Sequence, residues 1–331
     1  MDALQTGNKV LSRRTCLSVY NTRLIYDDLR AIQEKFGYLP ADQIEAVSKR
    51  TGTPVSRIHA VASFYPHFQL TPPPRVMAKV CMDMACHVRG AGELKRDLTQ
   101  RFANVSSRDV SIGEVSCLGQ CDGAPAMQIN DRSFRNVTTQ QAEGLIATAL
   151  GGVELPHLAP DPRITGLPFD PYSGGEPYQM VRKFAQSRDW DGIIAQLKTA
   201  GLAGLGGAGF PTGTKWEAVK KAPGQEKYVI CNADESEPGT IKDRFILNHL
   251  PYLVVEGMIL AGLVTGAKKG YLYIRHEYHP QEHICKHEIE ECYKKGILGK
   301  NICGTNLEFD LEVFVSPGGY ICGEETALIE A

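Results

Sequence analysis

The chain has 331 residues, room for about two domains. Its 43% hydrophobic and 22% charged residues are ordinary globular usage, which excludes wholesale disorder, collagen-like repeats and coiled coil. A net charge of −2, from 36 basic against 38 acidic residues, leaves no general basic footprint for nucleic acid.

Met1 to Tyr20 is polar and lacks the apolar core of a secretory signal, so a cytoplasmic location is expected. Residues 22–70 read as helices. Leu24, Leu29, Ile32 and Phe36 recur at helical spacing. Pro40-Ala41-Asp42 starts a second helix that ends at Gly52, and Thr53-Pro54 caps a third through Phe64. Pro72-Pro73-Pro74 marks a stiff connector. From Arg75 short strands alternate with helices: strands at Val76–Cys81, Val110–Val115 and Ala126–Ile129, helices at Gly92–Phe102 and Gln140–Leu150. Residues 151–177 are rich in Pro and Gly and read as an inter-domain linker.

A second α/β unit begins near Tyr178. A helix over Trp190–Ala200 leads into a glycine-rich loop. Strands follow at Lys227–Cys231, Gly270–Arg275 and Leu307–Val315, with helices at Lys242–His249, Tyr252–Thr265 and Glu282–Lys295. The pattern suggests a doubly wound sheet. The apolar stretch from Pro251 to Ala267 holds Glu256, Gly257, Gly262 and Gly266, is short for a membrane span and reads as a buried helix.

Two features carry chemistry. Without a signal peptide the ten cysteines are not expected to form a disulfide framework, yet four sit in tight pairs. Cys81 and Cys86 enclose four residues, Cys117 and Cys121 three. Thiolates bind iron and zinc, and structural zinc usually takes a shorter knuckle. A 2Fe–2S cluster takes four thiolates, two per iron, and Gly119, Gly123 and Pro125 allow tight backbone whose amides reach sulfur. Four unrelated buried cysteines are the bland alternative. Cys16, Cys285, Cys292 and Cys303 lack partner spacing, and His87 reads as a surface residue.

The second feature is Gly204-Leu-Gly206-Gly207-Ala-Gly209, which satisfies GxGxxG but follows a helix rather than a strand. Its amides suit an anion, and Lys215 just beyond adds charge. A flexible turn fits the glycines equally well. Further on, the strand ending at Asn232 runs into Asp234, Glu235 and Glu237, three carboxylates at a strand's C-terminal end, where α/β sheets place ligand chemistry. A solvated acidic turn capping the next helix is the competing reading.

These motifs resemble two known families. Cys81-Met-Asp-Met-Ala-Cys86 with Cys117-Leu-Gly-Gln-Cys121-Asp-Gly-Ala-Pro, preceded by Gly37-Tyr-Leu-Pro40 and Val61-Ala-Ser-Phe-Tyr65, is similar to the small 2Fe–2S subunit of the NADH dehydrogenase module of respiratory complex I. Gly201 to Trp216, Cys231 to Arg244, Tyr273 to Tyr278 and Tyr320-Ile-Cys-Gly-Glu-Glu-Thr-Ala327 are similar to the flavin subunit of that module, and to diaphorase subunits of NAD-linked hydrogenases and formate dehydrogenases. The resemblance implies a fusion in four segments. Residues 1–74 would be helical, 75–150 a thioredoxin-like 2Fe–2S ferredoxin domain, 151–177 a linker, and 178–331 part of a Rossmann-like α/β FMN- and NADH-binding domain.

It also implies roles. Cys81, Cys86, Cys117 and Cys121 would hold the cluster. Gly204, Gly206, Gly207 and Gly209 with Lys215 would hold FMN phosphate, and Asn232 and Asp234 would hydrogen-bond the flavin, with Glu235 in the same acidic turn. Phe210 would be an aromatic platform for NADH, and Glu237 and Glu325 would bind its nucleotide. Tyr320 and Gly323 would line the flavin cavity, with Glu324 beside them and Cys322 as a wall. The chain departs from the family at Ala203 and Leu205, where arginines are usual, and at His276, where glycine is usual. It stops at Ala331, before the family's ubiquitin-like and 4Fe–4S domains.

The function implied is NADH:acceptor oxidoreduction. A hydride would pass to FMN and single electrons to 2Fe–2S and partner iron–sulfur subunits of a complex I-like, hydrogenase or formate dehydrogenase assembly, without a nucleophile, nucleic acid or membrane span. The alternatives are a non-catalytic 2Fe–2S relay or assembly subunit, and a zinc-stabilised binding module.

Overall fold

A computed structural model describes residues 14–330 except Gly174, Gly206 and Gln225, with side chains from 25 to 329. Three helices open the chain: α1 (Arg14–Phe36), α2 (Ala41–Thr51) and α3 (Val55–Phe64). Gly52 ends α2 in the left-handed region at φ 70°, donating to Ser48 O. Two expectations shift here. The buried face of α1 is Ile25, Leu29 and Gln33, whereas Phe36 is exposed and the side chain of Leu24 lies outside the described residues. Pro54, not Thr53, is the N-cap of α3, and its fixed φ of −58° leads into the helix.

The next unit has β1 (Val76–Cys81), α4 (Met84–Val88), α5 (Ala91–Arg101), β2 (Val110–Val115), β3 (Met127–Ile129), β4 (Arg132–Phe134) and α6 (Thr139–Leu150). Its sheet runs β2-β1-β3-β4, with β1 and β2 parallel and the other pairs antiparallel. Thr138 and Gln141 cap α6 reciprocally, side chain to backbone in both directions. The core of this unit gathers Val76, Ala78 and Val80 of β1 with Leu94, Leu98 and Ile146 of the helices.

The described residues of 151–178 form no regular element but do not hang free. Asp161 pairs with Arg135 at 2.6 Å, Ile164 N donates to His249 Nδ1 at 3.0 Å, and Tyr252 OH donates to Asp170 at 2.7 Å. Leu155 and Tyr172 are buried. The segment is a strap fastened to both units.

The last unit has α7 (Gln179–Ser187), α8 (Trp190–Thr199), α9 (Thr212–Lys221), β5 (Tyr228–Ala233), α10 (Lys242–His249), α11 (Pro251–Thr265), β6 (Lys269–Ile274), α12 (His279–Lys294), β7 (Gly299–Lys300), β8 (Glu308–Val315) and α13 (Glu325–Glu330). Strand order is β5-β6-β8-β7, parallel except at the β7 edge. The parallel strands succeed one another in one direction, so the order reversal of a doubly wound sheet is not among the described strands. On one face α11 and α12 pack over Leu272, Ile274, Phe309 and Leu311. Gly262 admits the Phe309 ring, which lies 2.4 Å from where a Cβ would stand. The apolar stretch of α11 is spent on this core; no single described helix is long and apolar enough to cross a membrane, and α10 with α11 is bent by 94°.

The other face of that sheet meets the N-terminal helices. Tyr273 and Phe314 stack with ring centroids 5.4 Å apart and join Tyr26, Ile58 and Tyr65 in one cluster with Cys322 and Leu328. The helical segment therefore packs on the last unit, a contact between residues some 250 apart in sequence.

Candidate functional site

The four paired cysteines come together. Cys81 ends β1, Cys86 sits in α4, and Cys117 and Cys121 lie on the loop after β2; all but Cys121 are buried. Cys117 and Cys121 Sγ are 3.3 Å apart. Every sulfur accepts a backbone amide: Cys81 from Asp83, Cys86 from Ala126 at 3.4 Å, Cys117 from Gly119 at 3.4 Å and Cys121 from Gly239 at 3.3 Å. Amides aimed at all four sulfurs are what a cluster-binding set requires.

The thiols also bond one another. At Cys81 the bond with Cys117 favours the thiolate, but the bond with Cys86 and burial outweigh it and push the thiol up to about 11. The bond with Cys81 holds Cys86 down. The bond with Cys81, then burial, pushes Cys117 up, and burial, then Cys117, pushes Cys121 up to about 11. Crowded thiols of this kind lose protons when a metal supplies the opposing charge. Cys81 bonds both Cys86 and Cys117, and Cys117 bonds Cys121, so the four sulfurs form one connected set. His87 is exposed.

The glycine-rich loop is closed at its neck. Thr212 N donates to Leu202 O at 2.8 Å and Gly204 N to Phe210 O at 3.1 Å. Gly207 and Gly209 have φ of 108° and 61°, and a Cβ at Gly204, Gly207 or Gly209 would meet nothing within 4 Å. These glycines are not demanded by packing within the chain, which is the state of a backbone that leaves room for a ligand. Gly206 lies outside the described residues. Phe210 is half exposed, the Lys215 ammonium stands 5.9 Å from its ring centre, and Lys215 is 3.9 Å from Glu325.

The end of β5 faces this loop through the segment after β8. Asn232 Nδ2 donates to Gly323 O at 2.8 Å, and Tyr320 OH to Glu237 Oε2 at 2.6 Å, which holds that phenol above its usual value. Asp234 is buried, and burial raises its carboxyl although Ser236 and Ser316 each donate to it at 2.7 Å. Asn232, Glu237, Tyr320 and Glu325 are all exposed.

Two predicted residues are engaged within the chain. Glu235, expected at the cofactor, is buried and accepts from Asp243 N, Arg244 N, Lys242 Nζ and Tyr278 OH. Four donors fill a carboxylate's four acceptor sites, and two of them are the second and third amides of α10, so Glu235 caps that helix. Glu324 likewise accepts from Thr326 N at 2.9 Å and Ala327 N at 3.2 Å, at the start of α13. Cys322 is buried and donates to Gly318 O at 3.3 Å.

Sequence reasoning missed the contacts that join the sites. Arg244 and Arg275, both buried, reach from the last unit to the cysteine loop. A cavity of about 560 Å³ also opens where the three units meet, lined in part by His67, Asp131 and His276.

Residues 16–150 match the family described as thioredoxin-like 2Fe-2S ferredoxin, and residues 197–331 match the Nuo51 FMN-binding domain. The chain thus carries a thioredoxin-like 2Fe–2S ferredoxin unit followed by an FMN-binding unit, as its motifs implied. Among curated proteins it is 49% identical to an NADH-quinone oxidoreductase subunit of Rhodobacter capsulatus, over 44% of this chain and 33% of that one. It is 44% identical to the mitochondrial NADH dehydrogenase (ubiquinone) flavoprotein 1 of Dictyostelium discoideum, over 47% and 33%. Among solved structures, an NAD+-reducing NiFe hydrogenase in the air-oxidised state matches at 32% identity and TM-score 0.77, over 91% of this chain and 53% of that one. The chain spans about a third of these curated relatives and about half of the hydrogenase chain.

Proposed function

We propose that this chain is the electron-input unit of an NADH-oxidising assembly, with NADH and FMN at the surface between the glycine-rich loop and the end of β5 and a 2Fe–2S cluster on Cys81, Cys86, Cys117 and Cys121. One observation carries the reading: Gly239, at the end of the turn that follows Asn232 of β5 and holds Asp234 and Glu237, donates its amide to Cys121 Sγ. The two sites are parts of one constellation.

When bound, FMN takes a hydride's electron pair, whereas a 2Fe–2S cluster takes electrons singly, which is the reason to combine them. The chain's residues bind and orient. Amides of Gly206, Gly207 and Gly209 and the Lys215 ammonium receive phosphate, and Gly204, whose own amide goes to Phe210 O, leaves room for it. Asn232 and Asp234 fix the flavin edge, with Gly323 and Tyr320 lining its cavity. Phe210 offers a stacking face. Glu237 and Glu325 hold the nucleotide and repel a ribose phosphate, favouring NADH over NADPH. The partners are iron–sulfur subunits of a complex I-like, hydrogenase or formate dehydrogenase assembly, and the location is cytoplasmic, peripheral where the assembly is membrane-bound.

The test is FMN, iron and sulfide per chain after anaerobic purification, with NADH-dependent ferricyanide reduction. The reading expects one flavin, two irons and two sulfides with dye reduction by NADH. A cluster without flavin supports the relay alternative, which the exposure of Phe210 and of Leu205 favours. Zinc without sulfide supports the binding-module alternative.

A further inference from the structure

The four cysteines are held unequally. Cys81 and Cys86 accept amides from Asp83 and Ala126 of their own unit. The loop of Cys117 and Cys121 is gripped from the last unit at five points. Arg275 follows directly on β6, the central strand; its guanidinium donates to Cys117 O and to Glu235 O, and its Nε to Glu277 at 2.8 Å. Arg244 donates to Gly119 O at 2.6 Å, to Gln120 Oε1 at 3.0 Å and to Asp122 at 2.6 Å. Gly239 N reaches Cys121 Sγ. Gly119 itself lies so close to Tyr278 that a Cβ would stand 2.4 Å from Cε1 of that ring.

We propose that Arg275 and Arg244 are positioning residues that fix the Cys117–Asp122 loop from across the unit boundary, so that the flavin-binding half sets the reduction potential of the cluster held by the other half. The inference rests on the cofactor reading above. N–H···S bonds and the burial of ligand sulfurs tune such clusters. The amides of Gly119 and Gly239 keep their aim at sulfur only while the loop and the turn after β5 stay in register. Arg275 enforces that register by donating to one carbonyl on each. Lysine retains the charge but, as a point donor on a flexible stem, does not span two carbonyls with a planar fork. Arg275 is already balanced by Glu277, and Arg244 by Asp122, so the role is geometric rather than a matter of net charge.

The experiment is a redox titration of the whole chain followed by the EPR signal of the reduced cluster, on R275K, R244K and, as a contrast, R132K, whose side chain pairs with exposed Glu154 away from the loop. Iron and sulfide content is measured for each. R275K is expected to keep its cluster and FMN but to lower the equilibrium constant for reduction about tenfold, about 59 mV for one electron, with a changed EPR line shape. R244K shifts the same way by less, because Arg275 still holds Cys117, and R132K stays at the wild-type value. If R275K does not fold, R244K decides by the same criterion. Loaded R275K and R244K with wild-type potential and line shape overturn the inference and leave the cofactor reading intact; wild-type protein without iron and sulfide overturns both.

Discussion

The cysteine loops and the glycine-rich loop are built in opposite ways. Around the cysteines nearly everything is buried, each sulfur has an amide, and two arginines lock the loop from outside. Around the glycines the backbone is closed at its neck, space stands open at three glycine positions, and Phe210, Lys215, Tyr320 and Glu325 face solvent. The first arrangement suits a group that stays and transfers electrons without leaving. The second suits nucleotides, which must enter, stack and depart. The difference teaches that rigidity in this chain is concentrated where a small change in geometry changes a potential.

The largest expected effect separates the two regions outright. Cys117→Ser is expected to abolish cluster iron and sulfide while flavin content stays at the wild-type level; simultaneous loss of both groups would break the contrast. Next is a pair of glycine substitutions. Gly119→Ala drives a Cβ into Tyr278 at φ 66° and is expected to cost about 1–3 kcal/mol or more, read as a lower melting temperature. Gly209→Ala, at φ 61° with nothing near, is expected to cost about 1 kcal/mol of backbone strain and to weaken FMN binding more than it weakens the fold. Equal melting temperatures for the two would contradict the comparison.

Lys215→Ala is expected to weaken FMN binding by about 1.5–3 kcal/mol, the worth of a charged hydrogen bond, measured by fluorescence titration. Stability should move by less than about 0.5 kcal/mol, since the side chain is exposed. The smallest effect is in acid. His279, 3.9 Å away, and then Lys286, which donates at 2.6 Å, hold Glu282 down at about 2, against an ordinary 4.5. Its folded-state value is depressed, so its contribution is full above about pH 4.5 and lost as pH falls through about 2. Wild-type protein should therefore exceed E282Q in stability at neutral pH, and denaturation curves of the two should converge toward pH 2.

Much of this was legible in the sequence for local reasons. β1, β2 and α10 fall where apolar runs and turn residues put them, and cysteine spacing carries its own geometry. What was missed depends on distant partners. Glu235 looks like part of an acidic ligand turn because sequence does not show that the amides of Asp243 and Arg244 come to it. Arg244 and Arg275 have no local signature either, since each reaches a backbone carbonyl of the cysteine loop more than a hundred residues away. The packing of α1–α3 on the sheet of the last unit is invisible for the same reason. Two omissions did have a signal: Asn130-Asp131 between β3 and β4 is a two-residue hairpin turn with Asn130 at φ 51°, and Met180, Val181, Phe184 and Ala185 mark one face of α7.

The central claim is that a nucleotide surface and a cluster share one constellation, joined at Gly239 and Cys121. The most direct measurement adds NADH to the anaerobic chain, with no other reductant, and records flavin absorbance and the EPR spectrum together. The account predicts that flavin absorbance bleaches and a one-electron-reduced 2Fe–2S signal appears in the same sample. A cluster signal that dithionite elicits and NADH does not, in protein that holds both groups, would contradict it.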